Sequence, residues 1–421
     1  MPGRRWVFVG LFMAAACARA DDAAPADWRA LNRLARQQAQ AEDYAALRDT
    51  LLKLAPLMPG SAVVAYNLAA SEARLGRGDE SLAHLRELAD AGLAYDLGRD
   101  ADFAPLAERA DFRAVAARLA PARPPVGGSK RLAALSHGDG LPESLAWDAA
   151  GRRVFVASVR HCEVRVLDDP RRRGARERLF ARVPASAFAL GIDRARGRLW
   201  VTIATVAQGE RCGEGPPKAQ RTALLALDLR NGRVLQRVDA GLPGVLGDLV
   251  VADDGTVVVS ESLHGAVLRL APGARAFERL DAAGEFTSPQ QPALSADGRT
   301  LFVPDYARGV AAMSLDAPHE VRWVPHAAGV FTAGIDGLVR DGDGFLAVQN
   351  GLAPARVVRF SSDFSRQQVV EAGTPGLGEP THAVVVDAKA WFVSDVGWDR
   401  LDDDGRAKKG AAPARPEVRE R

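Results

Sequence analysis

The chain has 421 residues, of which 47% are hydrophobic and 26% are charged, and its formal net charge is +2. These values are typical of an ordinary globular protein of two or three domains, and they exclude a broadly basic nucleic-acid-binding protein. Beyond the first 20 residues, no stretch is long and apolar enough to predict a membrane-spanning helix.

The N-terminus has the pattern of an export signal. The basic residues 4–5 precede a short apolar run at residues 6–16, and Ala18-Arg19-Ala20 then places small residues at a cleavage position. The pattern predicts a signal peptide over residues 1–20 and a periplasmic or secreted mature protein. Lipoprotein processing at Cys17, which follows two alanines, is the alternative.

Apolar residues at helical spacing predict a helical domain over residues 21–120. The segment Tyr66-Asn67-Leu68-Ala69-Ala70, followed by Leu75-Gly76, resembles a tetratricopeptide repeat, in which small residues let two helices pack closely. Glu72 and Ser81 depart from that pattern, because the family usually has an aromatic residue and an alanine there. A generic helical bundle is the alternative. Either form predicts an interaction or packing domain rather than a catalytic one, and an interaction domain would engage a protein partner.

A repeated unit begins after a short linker. Residues 121–130 are rich in proline, glycine and serine and predict the linker. Over residues 131–403 the periodicity changes to two, and a pair of apolar strands around a tight turn recurs at intervals of roughly 45 residues. The copies begin at Glu143, Phe188, Gly247, Gln290, Asp336 and Thr381. Six such units predict a closed six-bladed β-propeller. The charged residues 404–421 predict a disordered tail.

Two cysteines remain once the signal peptide is removed. Cys162 and Cys212 each follow the second predicted strand of their blade, in blades one and two. The loops at those positions emerge on the same face of a propeller from adjacent blades. In an oxidising compartment, this placement predicts a disulfide between them.

Short motifs at the blade starts carry a family resemblance. They are Pro142-Glu143, Asp336-Gly337, Ser295-Ala-Asp-Gly298 and Val303-Pro-Asp305. With these motifs, residues 131–405 resemble the family of senescence marker protein (regucalcin) and gluconolactonase, and also the wider strictosidine-synthase and paraoxonase-like propellers.

The resemblance implies a metal site in the central channel. In that family, the inner strands supply oxygen ligands to one divalent cation, chiefly Ca²⁺. It implies that Glu143 and Asp336 are metal ligands and that Gln290 takes the place of an asparagine ligand. Gly247 stands where a further asparagine often lines the site, and the adjacent Asp248 is expected to point differently. Asp336 is also the candidate catalytic base.

Further candidates line the expected mouth of the channel. The candidate ligand-binding residues are His382, Asn350, Tyr306 and Asp248, and the weaker ones are His161 and Trp398. Turn formation or packing is the alternative role for each of them.

Two functions are consistent with these residues. The first is a binding or scaffolding module that takes a small molecule or a protein partner at the channel mouth. The second is a calcium-dependent lactone or ester hydrolase. In both, Glu143 and Asp336 are expected to converge with Gln290, and their mutual repulsion requires compensation. A bound cation, a shared proton or a neighbouring basic group would provide it.

Overall fold

The computed structural model describes residues 27–136, 139–172, 174–210, 212, 221–317 and 319–421. The predicted signal peptide and Cys17 lie outside the described residues. Within them, five α-helices precede 24 β-strands. The predicted class, a small helical domain followed by a six-bladed β-propeller, is confirmed.

The helices are α1 (Trp28–Gln40), α2 (Tyr44–Leu54), α3 (Ala62–Arg74), α4 (Gly78–Asp90) and α5 (Ala110–Leu119). The strands are β1 (Lys130–Ala134), β2 (Pro142–Asp148), β3 (Arg153–Ser158), β4 (Glu163–Asp168), β5 (Glu177–Arg182), β6 (Ser186–Asp193), β7 (Arg198–Ala204), β8 (Thr222–Asp228), β9 (Val234–Asp239), β10 (Leu246–Val251), β11 (Val257–Glu261), β12 (Ala266–Leu270), β13 (Glu278–Arg279), β14 (Ala293–Leu294), β15 (Thr300–Asp305), β16 (Gly309–Ser314), β17 (Arg322–Trp323), β18 (Ile335–Asp341), β19 (Gly344–Gln349), β20 (Arg356–Phe360), β21 (Gln367–Ala372), β22 (Ala383–Val386), β23 (Lys389–Ser394) and β24 (Glu417–Glu420).

The residues that depart from the tetratricopeptide pattern have buried partners inside the helical domain. Where α3 packs against α4, the Ser81 hydroxyl donates a 2.7 Å hydrogen bond to the carbonyl of Ala69. Glu72 is only 2% exposed and pairs with Arg48 at 3.2 Å and with His84 at 3.6 Å. A buried carboxylate is costly unless it is paired, and these two partners explain how α3 accommodates it.

Six four-stranded sheets form the blades of the propeller. Blades one to five are β2–β5, β6–β9, β10–β13, β14–β17 and β18–β21, each with its first strand innermost. Inner strands of neighbouring blades contact each other from β2 to β6 to β10, from β14 to β18 to β22, and from β22 back to β2. Apolar side chains of blades three and four pack together as well. The ring is therefore closed, and the first blade lies opposite the fourth.

The sixth blade joins the two ends of the propeller. Its strand order is β22-β23-β24-β1, so the C-terminal strand lies between β23 and the N-terminal strand β1. Glu420 pairs in register with Trp391 on one side and Lys130 on the other. Val418 is fully buried. Residues 417–420 of the predicted disordered tail (404–421) therefore form an ordered strand, because main-chain pairing on both sides orders a segment that has only one apolar side chain.

The predicted linker is also paired. Val126 exchanges two main-chain hydrogen bonds with Ala372 of β21, at 2.9 and 3.0 Å. Ser129 donates from its hydroxyl to Glu371 at 2.6 Å, and its own hydroxyl accepts from Arg419 at 2.7 Å. The segment between the domains therefore packs against blades five and six.

The helical domain packs on the loops of blades four and five. Gly60 donates to the carbonyl of Arg308 at 2.9 Å and accepts from the amide of Ala333 at 3.0 Å. At a second contact, Arg356 of β20 donates to the carbonyl of Ala91 at 2.6 Å. Phe331 of the propeller belongs to the apolar core of the helical domain. The two domains thus share both hydrogen bonds and core.

No helix among the described residues has the length and hydropathy needed to cross a membrane.

Candidate functional site

An ion pair crosses the centre of the propeller. His382 precedes β22 of blade six, and Asp248 lies on β10 of blade three, which is the opposite blade. The Nε2 atom of His382 hydrogen-bonds the Oδ1 atom of Asp248, and the two residues are 1% and 2% exposed. The sequence placed both residues among the candidate ligand-binding groups; the structure places them under the channel mouth and joins them to each other.

Asp248 lies directly after an irregularity at the start of β10, and β2, β6 and β18 have similar shifts. The register of β10 against β11 shifts between Leu246 and Asp248, and such a bulge changes which face the following side chains use. Regular alternation along the strand predicts that Asp248 points differently. The channel-facing acid of blade three is therefore Asp248, not a residue at the position of Gly247.

Glu143 is half-buried beside this pair. The indole N–H of Trp398 donates to its Oε2 atom, and its main-chain carbonyl accepts a 2.6 Å hydrogen bond from the Thr381 hydroxyl. Burial raises the pKa of Glu143 to about 7, with further increases from the charges of Asp248 and Glu379. The charge of His382 and the Trp398 hydrogen bond act in the opposite direction but are outweighed.

Asp336 is the second carboxylate at the mouth, and it is 8% exposed. Asn350 donates to its Oδ2 atom at 2.6 Å and to the carbonyl of Pro380 at 2.9 Å. The amide oxygen of Asn350 in turn accepts from the Tyr306 hydroxyl at 2.9 Å. Burial raises the pKa of Asp336 well above its usual range, and the nearby charge of Glu143 adds to the rise. The charge of Glu143 therefore disfavours ionisation of Asp336.

Tyr306 is held in place by the acid at the end of β15. The carboxylate of Asp305 accepts from the amides of Thr287 at 2.6 Å and of Ala307 at 3.0 Å, and it is fully buried. The Val303-Pro-Asp305 motif therefore shapes the loop that carries Tyr306. Burial raises the pKa of Tyr306, and the charge of Asp336 adds to it, so its hydroxyl remains a hydrogen-bond donor.

His382 provides a positive charge among these acids. Burial lowers the pKa of His382, but the charge and hydrogen bond of Asp248, followed by the charges of Asp336 and Glu143, outweigh that effect and raise it to about 9. Its Nδ1 atom is buried and has no hydrogen-bond partner among the described residues. A bound cation, a shared proton or a basic group was expected to offset the repulsion between Glu143 and Asp336. The structure contains the basic group, His382, and the raised pKa values of the two acids favour a retained proton.

The third predicted metal ligand, Gln290, bonds a neighbouring residue through its amide nitrogen. The amide nitrogen of Gln290 donates to the hydroxyl of Ser288 at 2.9 Å and to its carbonyl at 3.1 Å. No hydrogen bond connects Gln290 with Glu143 or Asp336 among the described residues. The next residue, Gln291, has a buried amide oxygen with no hydrogen-bond partner in the part of the chain that is described.

The donor set does not match a calcium site. Ca²⁺ takes roughly six to eight oxygen ligands, whereas Glu143 and Asp336 each accept a side-chain N–H bond and lie beside a cationic histidine that is paired with a third acid, Asp248. Within the described ranges, no group of three or more His, Cys, Asp or Glu residues is arranged to hold a metal ion.

The remaining predicted residues lie away from this mouth. His161 is 2% exposed in the loop after β3, with its Nε2 atom 3.6 Å from Asp139. The adjacent Cys162 forms a disulfide with Cys212, with their Cα atoms 5.3 Å apart. It connects the outer loops of blades one and two.

Glu379, whose pKa is raised by burial, is an acid near the mouth that sequence reasoning missed, because it lies in a loop between blades with no recurrent motif.

Comparison with known proteins gives similarity of fold. No family model and no curated protein matches the chain. Among solved structures it is similar to a calcium-binding protein, regucalcin, from Agrobacterium tumefaciens, at 16% identity over 70% of this chain and 93% of that one, with a TM-score of 0.49. It is similar to a gluconolactonase from Xanthomonas campestris at 18% identity over 72% and 99%, with a TM-score of 0.45. A PQQ-bound aldose sugar dehydrogenase from Streptomyces coelicolor matches at 14% identity over 71% and 99%, with a TM-score of 0.47. At these identities the likeness concerns the fold alone.

Proposed function

We propose that the propeller binds a small ligand rich in hydroxyl or ammonium hydrogen-bond donors at its channel mouth. The observation that carries this proposal is the excess of acids: Glu143, Asp336 and Asp248 surround a single cation, His382. Donors on a ligand would replace the water that these carboxylates lose on burial. An anionic ligand would instead add to the repulsion.

The walls of the mouth support the same class of ligand. Trp398 and Tyr306 are both half-buried beside the acids. Aromatic faces bind the C–H surfaces of ring-shaped polar molecules and attract cations. The Tyr306 hydroxyl and the Trp398 indole already bond Asn350 and Glu143, so both rings are held in fixed positions before a ligand arrives.

A second candidate is metal-independent hydrolysis of a lactone or ester. The pKa of about 7 at Glu143 favours it, because a general acid or base is most effective when its pKa is near the working pH. In that reaction Glu143 would take a proton from the attacking water, and Asp336, the base expected from sequence, would remain protonated and donate a hydrogen bond. The calcium-dependent form is the weaker version, since the donor set does not match that ion.

Calorimetry separates these functions. Wild-type protein is titrated with sorbitol, choline and calcium chloride, and acid release from gluconolactone is followed at constant pH. Sorbitol or choline binding that weakens about tenfold or more in Glu143→Gln supports the ligand site, since a hydrogen bond to a charged group is worth roughly 1.5–3 kcal/mol. Acid release that is lost in the same variant supports hydrolysis.

A matched control is available on the helical domain. Glu108 is fully exposed, so Glu108→Gln should leave every titration unchanged. No heat with sorbitol or choline and no acid release would overturn both candidates. Tight calcium binding that requires Glu143 would replace them with the metal site that the family resemblance implies.

Location and partners are also proposed. The leader pattern of residues 1–20 supports export to the periplasm or outside the cell, and the Cys162–Cys212 disulfide is of the kind that persists in oxidising compartments. The helical domain is proposed to engage a protein partner in the manner of tetratricopeptide repeats. The face of the helical domain that is turned away from the propeller would bind this partner, since the opposite face is packed on blades four and five.

A further inference from the structure

A second cavity lies between the two domains, away from the channel. It has a volume of about 250 Å³ and is enclosed by α1, α2 and α3 on one side and by the propeller loops at Thr287 and Ala307 on the other. We call it the seam cavity. Pockets for drug-sized ligands hold about 300–1,000 Å³, so the seam cavity suits a smaller molecule.

The charge of the seam cavity is opposite to that of the channel mouth. Arg29, Arg33 and Arg36 of α1 all line it, and none of the described lining residues is an aspartate or glutamate. Arg29 is already used to fix α1 to the propeller, through bonds to the carbonyls of Gly284 at 2.6 Å and Phe286 at 2.8 Å. Arg33 lies at the rim with a side chain 69% exposed, and its ion pair with Asp27 is long, at 3.9 Å. A guanidinium in that position is available to a ligand.

Two buried hydrogen-bonding groups in the lining have no partner. The indole N–H of Trp28 and the hydroxyl of Thr287 make no hydrogen bond within the described residues, although these residues are 9% and 3% exposed. Leaving a buried polar group unsatisfied destabilises the folded chain. The ring of Trp28 contacts the guanidinium groups of Arg29 and Arg308, at 4.7 and 5.5 Å from its centroid. Neither atom is open to the cavity in this conformation, and a small rotation of either side chain toward an acceptor on a ligand would satisfy it.

The rest of the lining is apolar. Leu51, Leu54, Met58 and Val64 belong to one buried cluster that also includes Ala307 of the propeller, and all five line the cavity. Contact with them favours an apolar body on the ligand. The combination of arginines, unpartnered donors and an aliphatic wall defines an amphipathic site.

We infer that the seam cavity binds a small organic monocarboxylate with an aliphatic body. The carboxylate lies toward Arg33 and accepts from the Trp28 indole, and the aliphatic body packs against α2 and α3. Such a ligand would contact both domains at once and stabilise their association. This inference is independent of the channel mouth, which has the opposite charge.

Octanoate tests the inference, with octanamide as its neutral match. Calorimetry on the full mature chain should show octanoate binding, with octanamide at least about tenfold weaker because charge-assisted hydrogen bonds are about twice as strong as neutral ones. Arg33→Gln and Trp28→Phe should each weaken octanoate about five- to tenfold. Arg33 is exposed, so its loss leaves the fold intact, while Trp28→Phe keeps the ring and removes only the N–H.

The outcomes are distinguishable. Arg113→Gln changes an exposed arginine of α5 outside the cavity and should leave octanoate affinity unchanged, as should Glu143→Gln. Octanoate should also raise the melting temperature of the wild type more than that of Arg33→Gln. Absence of octanoate binding up to millimolar concentrations, equal affinity for octanoate and octanamide, or affinity unchanged in both Arg33→Gln and Trp28→Phe would each overturn the proposal.

Discussion

His382 and Asp248 form a buried ion pair across the central channel, between blades that lie opposite each other in the ring. The bond ties together two inner strands that are distant in the chain. It also places a cation beneath Glu143 and Asp336, and so it links the stability of the ring to the electrostatics of its mouth.

Breaking this pair should destabilise the propeller strongly. His382→Gln leaves the Asp248 carboxylate buried without its cation, and loss of one partner of a buried pair costs about 3–5 kcal/mol. Chemical denaturation of His382→Gln, Asp248→Asn and the double variant measures the coupling between the two. The double variant should recover part of the loss, since it buries no unpaired charge.

Glu320→Gln is the control for this cycle, because it removes an exposed partner of Arg322 and should not change the melting temperature. Additive effects of His382→Gln and Asp248→Asn would mean that the pair does not act as a unit.

Stability should fall as the pH rises from about 4.5 to about 9. The native pKa of Glu143 is about 7 against an ordinary 4.5, so the native state keeps a proton that the unfolded chain has lost, and a rise in pH favours unfolding. Asp336 acts in the same direction. His382 has a native pKa of about 9 against 6.5, so its stabilising charge is present below pH 6.5 and is lost as the pH rises through 9.

Urea denaturation at pH 5, 7 and 9 measures this effect. Glu143→Gln should reduce the decline between pH 5 and 7 by an amount of order 1–3 kcal/mol, since one pKa unit corresponds to about 1.4 kcal/mol. Glu108→Gln should keep the wild-type slope. A Glu143→Gln profile parallel to that of the wild type would show that this carboxyl titrates normally in the folded state.

The C-terminal strand should be essential for closure of the ring. Truncation after Arg415 removes β24, which leaves β1 without a partner and β23 paired only with β22, so cooperative thermal unfolding should be lost. The double variant Lys408→Ala, Lys409→Ala changes two exposed residues of the same segment and should melt like the wild type. Calorimetric scans compare the three chains, and an unchanged transition in the truncated one would count against closure by β24.

The disulfide should stabilise the loops of blades one and two. Cys162 and Cys212 are 50 residues apart in sequence, and cross-linking a loop of this size stabilises a protein by about 2–4 kcal/mol. The Cys162→Ser, Cys212→Ser variant should therefore melt at a lower temperature, and dithiothreitol should lower the melting temperature of the wild type alone. Equal sensitivity of both proteins to the reductant would contradict the prediction.

The helical domain should separate from the propeller when Gly60 acquires a side chain. A Cβ atom at Gly60 would lie 2.3 Å from the Thr332 hydroxyl and 2.7 Å from the Cα of Gly309, so the main-chain contact could not form. Gly60→Val should expose residues 121–130 to limited proteolysis. Gly128→Val, whose Cβ meets no atom within 4 Å, is the control and should be cleaved no faster than the wild type.

The sequence was sufficient to predict the repeat architecture. Each blade's inner strand pair combines apolar alternation with a tight turn, and both are properties of neighbouring residues. The C-terminal strand was missed because its order does not come from the pattern of its own residues. Only Val418 within β24 is apolar, and the strand is ordered by main-chain bonds to β1 and β23, which local composition does not reveal.

The candidate site also has features that local sequence predicts and features that only the tertiary structure determines. Its residue types and blade positions, Glu143 and Asp336 above all, were predicted from sequence because blade repeats bring equivalent positions to one ring. The pairing of Asp248 with His382 and the turning of Gln290 toward Ser288 were decided only by the tertiary structure. A bulge in β10 and the width of the closed channel determine which side chains meet, and the resulting burial shifts their pKa values. Those are properties of six packed blades, which no single blade sequence contains.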